Sequence, residues 1–477
     1  MPTPVIQITN LNFQYDQPVF NGLNWKLFPG ECWMLGGLSG SGKTTLAKII
    51  SGEIKNFEGK VEVHFDENST LPKKILYVSS WYRFTNLEGD RNFYYQQRYN
   101  TFAKNDTLTV FAELERFSQE EHLDFEAVKP LLELFGFNNF REQQLIELSS
   151  GEHKRLQLVK ALWLKPQILM IDQPYTGLDV QSRRNLNGVF NEVVKEGMLL
   201  ILINNDTEKP ACISHFAEIQ DGKLKEVASA VEISKGEKRI KKPIPHFLQQ
   251  APNAEGETII RMRDVCISYG EKQVLDHINW DVKTGEKWLL QGHNGSGKST
   301  LLSLLNGDHP QAYANEIALF GQKRGSGESI WDIKEKIGMI SPELHWYYDL
   351  ETNVGQTIAS GFFDSMSLYQ KLSFDQQQQL EQVLYFFDLK ADKNKKLKTL
   401  PLGKQRLALL ARTVIKNPPL LILDEPCQGM DAAQTEYFND VIDDWCSSGQ
   451  TLIYVGHFES QLPKNISHKL VLEQGKI

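Results

Sequence analysis

Two glycine-rich stretches in this sequence have the residue types and spacing that hold phosphate groups. The stretch at 292–299 reads GHNGSGKS and lies between an apolar run at 288–290 and another at 301–305. This order predicts a strand, a loop and a helix, in which glycines let backbone N–H groups converge at the positive end of the helix dipole. Lys298 would neutralise the outer phosphates of a nucleotide, and the Ser299 hydroxyl would ligate Mg²⁺. The stretch is therefore predicted to bind a nucleotide.

The second stretch of this kind occurs near the start of the chain. Residues 37–44 read GLSGSGKT, again after an apolar run and before a helical pattern. The predicted nucleotide contacts are the glycines, lysines and hydroxyl residues of both loops: Gly37, Gly40, Gly42, Lys43, Thr44 and Thr45 in the first, and Gly292, Gly295, Ser296, Gly297, Lys298, Ser299 and Thr300 in the second.

The rest of the sequence also repeats, with an offset of 252 residues against 255 for the two glycine-rich loops. Residues 168–174 (ILMIDQP) correspond to 420–426 (LLILDEP), and residues 199–205 (LLILINN) correspond to 451–457 (TLIYVGH). Apolar runs without alternation predict parallel strands that are buried on both faces. Two copies of one domain therefore account for almost the whole chain.

The repeat sets the predicted domain organisation. We expect a first domain at 1–227, a basic, proline-containing linker at 228–256 and a second domain at 257–477. In each copy a segment of helical periodicity, at 108–165 or 354–416, lies between the glycine-rich loop and the apolar run that ends in Asp172 or Asp424. The predicted fold class is α/β, with two tandem P-loop NTPase domains that each consist of an α/β core and an inserted helical subdomain.

Composition narrows the function classes. The net charge of −8 gives no electrostatic signal for nucleic-acid binding. The five cysteines are far apart, which predicts reduced thiols in a cytosolic protein and suggests neither a zinc site nor an iron–sulfur cluster. We find no signal peptide and no apolar stretch of about 18 residues. We therefore expect a cytoplasmic protein, which would reach the inner face of a membrane only through a partner.

The residues after the acidic strands could hydrolyse a nucleotide. Asp424 would hold Mg²⁺ through its water shell, Glu425 would accept a proton from the attacking water, and His457 would hydrogen-bond the γ-phosphate. Asp172 is the metal-binding equivalent of Asp424 in the first copy. A lone histidine at a strand end is more often structural, which is the alternative for His457.

The order of P-loop, Asp-Glu-Pro, Gly-Met-Asp at 429–431 and His457 resembles the ATP-binding cassette ATPases. The resemblance implies a signature motif that opens a helix, at Ser149, Ser150, Gly151 and Glu152 in the first copy. It also implies that Tyr15 and Tyr269 stack on adenine, although either tyrosine could instead belong to the core. The implied cofactors are ATP and Mg²⁺.

The two copies depart from the family pattern in a coordinated way. The first has Gln173 where the second has Glu425, and Asn205 where the second has His457, while the second has Pro401 in place of the signature serine. The resemblance implies head-to-tail packing of the two domains, so that each ATP site joins one P-loop to the other signature. Gln173, Asn205 and Pro401 would then share one degenerate site, and the other site would hydrolyse ATP. The alternative is that these three positions tolerate change independently.

Two functions remain open. The glutamine of the family's Q-loop is missing in both copies, near Ser80 in the first and near Pro342 and Glu343 in the second. Two stretches, at 306–313 and 324–334, resemble tandem cassette proteins of oxyanion transport. The first function is the ATPase subunit of a transporter with a separate membrane permease. The alternative is a soluble ATP-driven switch that acts on a macromolecular partner such as the ribosome or nucleic acid.

Overall fold

The computed structural model describes most of the chain. The described residues are 3–15, 18–79, 108–137, 141–145, 148, 150–176, 178, 180–204, 209–227, 241–249, 256–270, 272–293, 295–341, 344–345, 348–447, 449–456 and 462–477. The chain divides into two compact units between Lys235 and Gly236.

The strands of the first unit form two sheets. They are β1 Ile6–Gln14, β2 Pro18–Leu27, β3 Cys32–Gly36, β4 Glu58–Val63, β5 Ile75–Val78, β6 Ile168–Asp172, β7 Leu199–Ile203, β8 His215–Gln220 and β9 Lys223–Val227. Within the described residues, an antiparallel sheet has the order β2-β1-β4, and the larger sheet has the order β5-β6-β7-β3-β8-β9. The larger sheet is parallel except for β9, which forms an antiparallel hairpin with β8.

The larger sheet of the first unit is covered on both faces. Among the described residues, the α-helices of this unit are α1 Lys43–Ile50, α2 Val110–Glu121, α3 Lys129–Leu134, α4 Ser150–Leu164 and α5 Val180–Lys195. Alternate residues of β6 point to opposite sides: Leu169 and Ile171 pack with the helical layer, and Ile168 and Met170 pack with α1 and the antiparallel sheet. Every residue of β6 is buried, as predicted for a strand between two layers.

The second unit repeats this architecture. Its strands are β10 Thr258–Tyr269, β11 Lys272–Lys283, β12 Lys287–Gln291, β13 Glu316–Leu319, β14 Gln322–Lys323, β15 Ile337–Ile340, β16 Leu420–Asp424, β17 Thr451–Val455 and β18 His468–Val471. In the described part of this unit, the sheet orders are β11-β10-β13-β14, which is antiparallel, and β15-β16-β17-β12-β18, which is parallel.

Helices again cover the parallel sheet of the second unit. In the part of this unit that the structure describes, the α-helices are α6 Lys298–Leu305, α7 Ile330–Lys336, α8 Val354–Ala359, α9 Phe374–Phe386, α10 Leu402–Val414 and α11 Ala432–Cys446. Leu421 and Leu423 of β16 pack with the helical layer, while Leu420 and Ile422 pack with α6 and the antiparallel sheet. The predicted α/β class with a helical layer in each copy is confirmed.

Part of the predicted linker packs against the second unit. Leu248 is fully buried in the helical core, and its carbonyl oxygen accepts a hydrogen bond of 2.7 Å from Gln450 Nε2. The carbonyl oxygen of Phe247 accepts a bond of 3.2 Å from Asn417 Nδ2. Residues 241–249 are therefore anchored to that unit and do not form a solvated connector along their length.

The described helices contain no membrane-spanning candidate. None combines the length and the apolar character that crossing a bilayer would require.

Candidate functional site

In each unit the glycine-rich loop joins a central strand to the helix that follows it. Gly42 and Gly297 are the N-caps of α1 and α6, with φ of 101° and 103°. A Cβ atom at Gly42 would lie 2.6 Å from Val19 Cγ1, and one at Gly297 would lie 2.8 Å from Leu275 Cδ2. Both positions need glycine because the backbone is left-handed and a neighbouring side chain leaves no room.

The lysine of each loop folds back over the loop. Lys43 Nζ donates to the carbonyl oxygens of Gly37 at 2.6 Å and Leu38 at 2.9 Å. Lys298 Nζ donates in the same way to Gly292 at 2.7 Å and His293 at 2.9 Å. Each ammonium group therefore lies at the mouth of a loop whose N–H groups precede a helix, where phosphate oxygens would replace the carbonyl partners.

The predicted Mg²⁺ ligands of the first unit are in contact. Thr44 Oγ1 donates a hydrogen bond of 2.7 Å to Asp172 Oδ2, and Tyr77 Oη donates one of 3.2 Å to the same oxygen. Burial raises the pKa of Asp172 above its usual value, while the hydrogen bond from Thr44 opposes that shift. Hydroxyl and carboxylate oxygens are hard ligands, so these residues fit Mg²⁺.

The predicted Mg²⁺ ligands of the second unit lie at the equivalent places. Ser299 is exposed in the first turn of α6, and Asp424 is half-buried at the end of β16. Strand β17 separates β16 from β12, the strand that leads into the glycine-rich loop. The same hard oxygen donors are therefore available here, and the metal would supply positive charge to the phosphates when bound.

A buried lysine that was not predicted supports the aspartate strand of the first unit. Lys154, on α4, donates to the backbone oxygens of Asp172 at 2.9 Å and Ser79 at 2.7 Å. Burial lowers the pKa of Lys154 to about 7, an effect that the charge of Asp172 partly opposes. Lys154 thus connects the helix that begins at the signature to the ends of two strands.

Gln173 and Glu425 take the same unusual backbone conformation. Each directly follows the central acidic strand, with φ of 51° and 43°. The backbone N–H of Gln173 donates to Ile203 O at 2.8 Å, and that of Glu425 donates to Val455 O at 3.2 Å. Left-handed backbone is unfavourable for residues other than glycine and is found preferentially at functional sites. Both side chains are therefore presented from the same point of the fold.

Their side chains have partners three residues later in the chain. Glu425 Oε2 accepts a bond of 3.1 Å from Gln428 Nε2. Gln173 Oε1 accepts one of 3.4 Å from Thr176 Oγ1. Gln428 is thus a further residue of the second site that the sequence did not reveal, because it belongs to no motif.

The signature positions open a helix in both units. In the first unit α4 begins at Ser150, Gly151 is buried, and a Glu152 carboxylate oxygen lies 3.7 Å from an Arg155 guanidinium nitrogen. In the second unit Pro401 is the N-cap of α10 and makes no side-chain capping bond. Proline has neither a hydroxyl group nor an N–H with which to cap a helix.

The two predicted adenine-stacking tyrosines lie outside the cores. The Tyr15 side chain is 62% exposed and meets Phe13 edge-on, with ring centroids 4.9 Å apart. Tyr269 is 51% exposed, and its hydroxyl lies 2.7 Å from His309 Nε2. Either ring is accessible to a flat ligand.

Several predicted positions lie outside the described residues. These are Ser149 of the signature, His457, Asn205, and the Q-loop positions Ser80, Pro342 and Glu343. Their roles remain predictions from the sequence. The additional residues Tyr77 and Lys154 lacked a sequence signal because their contacts depend on how strands and α4 pack.

Comparison with known proteins agrees with this geometry. The family model described as ABC transporter matches residues 20–176 and 275–428. The chain is similar to the ABC transporter ATP-binding protein ModF of Escherichia coli, with 34% identity over 92% of this chain and 91% of that protein. It is also similar to an uncharacterized ABC transporter ATP-binding protein of Schizosaccharomyces pombe, with 28% identity over 96% of both chains.

A solved structure extends the likeness of fold. The chain resembles a structure named RNase-L Inhibitor with a TM-score of 0.53 and 16% identity, over 97% of this chain and 87% of that one. At that identity only the fold is shared. The matched family segments contain both glycine-rich loops and both acidic strands. The chain therefore belongs to the ABC transporter family, as an ATP-binding protein with two tandem ATPase domains.

Proposed function

We propose that this ATPase hydrolyses ATP mainly at the site of the second unit and holds ATP at the site of the first. The observation that carries the proposal is the shared position of Gln173 and Glu425 after equivalent strands. A carboxylate can accept a proton from water, whereas a neutral amide cannot. The fold presents both groups in the same way, so the difference between them is chemical.

The described residues of the second site have roles that their positions support. Lys298 exchanges carbonyl partners for phosphate oxygens and neutralises their charge. Ser299 and Asp424 hold Mg²⁺, and Glu425 orients the attacking water and takes its proton. Gln428 keeps the Glu425 carboxylate in place through their 3.1 Å hydrogen bond. His457 completes the site by donating to the γ-phosphate.

The second half of each site is inferred from the family resemblance. In that arrangement the second P-loop meets the signature of the first unit, Ser149 to Glu152, and the first P-loop meets Pro401. The absence of a side-chain cap at Pro401 supports the degenerate assignment, because that helix start offers an ATP phosphate no hydroxyl.

Steady-state ATPase activity of two matched variants tests the assignment. Glu425→Gln keeps the shape of the side chain but removes the base, so we expect the rate to fall about 10²–10⁴-fold while ATP is still bound. Gln173→Glu adds a carboxylate at the equivalent position and is expected to change the rate less than twofold. Full activity of Glu425→Gln, or a large gain in Gln173→Glu, would refute the proposal.

We further propose that the chain energises a membrane transporter, with a separate permease in the membrane and the ATPase at its inner face. The support is the relative named ABC transporter ATP-binding protein ModF, with which the chain shares 34% identity along most of both lengths. Closure of the two domains on ATP would drive the permease. ATP can shift the equilibrium between the open and closed forms only toward the form that it binds more tightly.

Affinity purification from gently solubilised membranes separates this proposal from the switch alternative. A permease that is retained in detergent supports transport. Association with ribosomes or nucleic acid in the same preparation, without a permease, would instead establish a macromolecular switch.

A further inference from the structure

We propose that the second unit carries a transition-metal site, suited to Zn²⁺, where β-bulges shift the register between β10 and β11. One ligand atom from each of Cys266, Asp276 and His277 lies within 4.8 Å of the others. Thiolate, imidazole and carboxylate are the donors that Zn²⁺ takes in proteins, usually with four ligands at about 2.0–2.3 Å. Three protein donors leave a position for water or a further ligand.

A fourth residue orients the histidine. His277 Nδ1 lies 2.5 Å from Asp264 Oδ1, and His277 Nε2 lies 3.5 Å from Asp276 Oδ1. The Nδ1–H group therefore donates to Asp264, which leaves Nε2 as the metal-binding nitrogen on the side of Asp276. A carboxylate that holds the second nitrogen of a metal-bound histidine is a recurrent feature of zinc sites.

The backbone places these side chains by means of two bulges. Register shifts separate the pairs Met262–Trp280, Val265–Ile278 and Ile267–Leu275 of β10 and β11. Asp264 and His277 lie at the shifts in left-handed conformations, with φ of 51° and 54°. The backbone N–H of His277 also donates to Cys266 Sγ at 3.3 Å. The bulges thus turn residues of two strands toward one point.

The first unit provides an internal comparison. Strands β1 and β2 have the same bulges, but Asn10, Asn12, Asn21 and Gly22 stand where Asp264, Cys266, Asp276 and His277 stand in the second. Gly22 N donates to Asn12 Oδ1 at 2.8 Å, the counterpart of the bond from His277 N to Cys266 Sγ. The bulge can therefore form without ligand residues.

The comparison shows that the bulge does not need a histidine at the position of His277. Gly22 adopts its φ of 69° at little cost, whereas a histidine with φ of 54° is in a strained backbone conformation. The second unit places a strained imidazole beside a thiol and two carboxylates, and bulge geometry alone does not require it. A metal that binds the imidazole, the thiolate and the Asp276 carboxylate would give the strained conformation a function.

One cation competes for the site. Lys476 Nζ lies 3.1 Å from Asp276 Oδ2, and Gln273 Nε2 donates to Asp276 Oδ1 at 2.7 Å. An exposed ion pair of this kind is weak, so a divalent metal can displace it. Removal of the lysine should therefore strengthen metal binding.

Co²⁺ is the probe for the test, with the full-length reduced protein kept in Mg²⁺ and ATP so that the nucleotide sites are filled. We expect about one Co²⁺ per chain, with a thiolate-to-metal charge-transfer band that Zn²⁺ abolishes by displacement. Cys266→Ser should eliminate the band. Cys212→Ser, which removes a half-buried thiol in the first unit, should leave it unchanged.

Two further variants distinguish a built site from incidental binding. Asp264→Asn should weaken Co²⁺ binding about 10–100-fold, as expected for loss of the group that orients a metal-bound histidine. Lys476→Met should strengthen binding at least twofold. Circular dichroism would verify that each variant is folded. Absence of the band in the wild type, its persistence in Cys266→Ser, or equal affinity in all variants would overturn the proposal.

Discussion

Gln173 and Glu425 leave the central sheets of their units in the same left-handed conformation, yet one carries an amide and the other a carboxylate. The backbone bonds that fix them are also equivalent, to Ile203 O and Val455 O. The asymmetry between the units therefore lies in side-chain chemistry at a common position, and it can be changed by substitution without refolding the chain.

The degenerate site should be repairable only by several changes together. In a Glu425→Gln background, where the second site is silent, we expect Gln173→Glu alone to leave activity near zero. The triple change Gln173→Glu, Asn205→His and Pro401→Ser restores the base, the γ-phosphate donor and the signature hydroxyl. It should raise the residual ATPase rate at least about 10-fold, since a general base in a site that is otherwise complete supplies about 10²–10⁴.

Steady-state phosphate release measures this recovery. Pro401→Ser alone in the same background is the control and should gain nothing. If Gln173→Glu alone restored as much ATPase activity as the triple change, the signature position would be irrelevant to the first site.

The Thr44–Asp172 contact should stabilise the first unit in the absence of nucleotide. Thr44→Val keeps the side-chain shape but removes the shorter of two hydrogen bonds to a buried carboxylate oxygen, so the free energy of unfolding should fall by about 1–3 kcal/mol. Ser299→Ala, at the exposed equivalent, should change it by less than about 0.5 kcal/mol. Urea unfolding without Mg²⁺ or nucleotide measures the free energy of unfolding of both variants. Equal losses in the two variants would contradict the difference between the sites.

Lys154 should make stability depend on pH. Burial lowers its pKa from 10.5 to about 7, so between these values the unfolded chain binds a proton that the folded chain does not. Below pH 7 the destabilisation that comes from burying Lys154 is complete. It is lost as pH rises from 7 toward 10.5, so the free energy of unfolding increases over that range. The free energy of unfolding of the wild type, relative to Lys154→Met, should increase between pH 7 and pH 9.

Urea unfolding of both proteins at the two pH values gives this difference, in which the titration of groups that do not interact with Lys154 cancels. A difference that stays constant with pH would mean that Lys154 is not buried in its neutral form.

The sequence is sufficient to predict features that depend on short segments. The glycine-rich loops, the strands that end in Asp172 and Asp424, and the helix that begins at the signature are encoded by contiguous residues, so spacing alone indicates them. The antiparallel sheets are harder, because register shifts in β1 and β10 interrupt the alternation that marks a half-buried strand.

Contacts between distant segments could not be predicted in this way. Lys154 meets Ser79 across 75 residues, and only the packing of α4 against the sheet brings them together. The cluster of Cys266 and His277 was also missed, because its residues come from two paired strands and lack the close cysteine spacing of common zinc motifs.

The stoichiometry of the first turnover tests the central claim most directly. Labelled ATP is mixed with Mg²⁺ and the purified chain, the reaction is quenched within one turnover, and bound ADP and ATP are counted per chain. We predict about one ADP and one ATP per chain in the wild type, and two ATP in Glu425→Gln. Two ADP per chain formed at equal rates, or unchanged ADP formation in Glu425→Gln, would contradict hydrolysis at a single site.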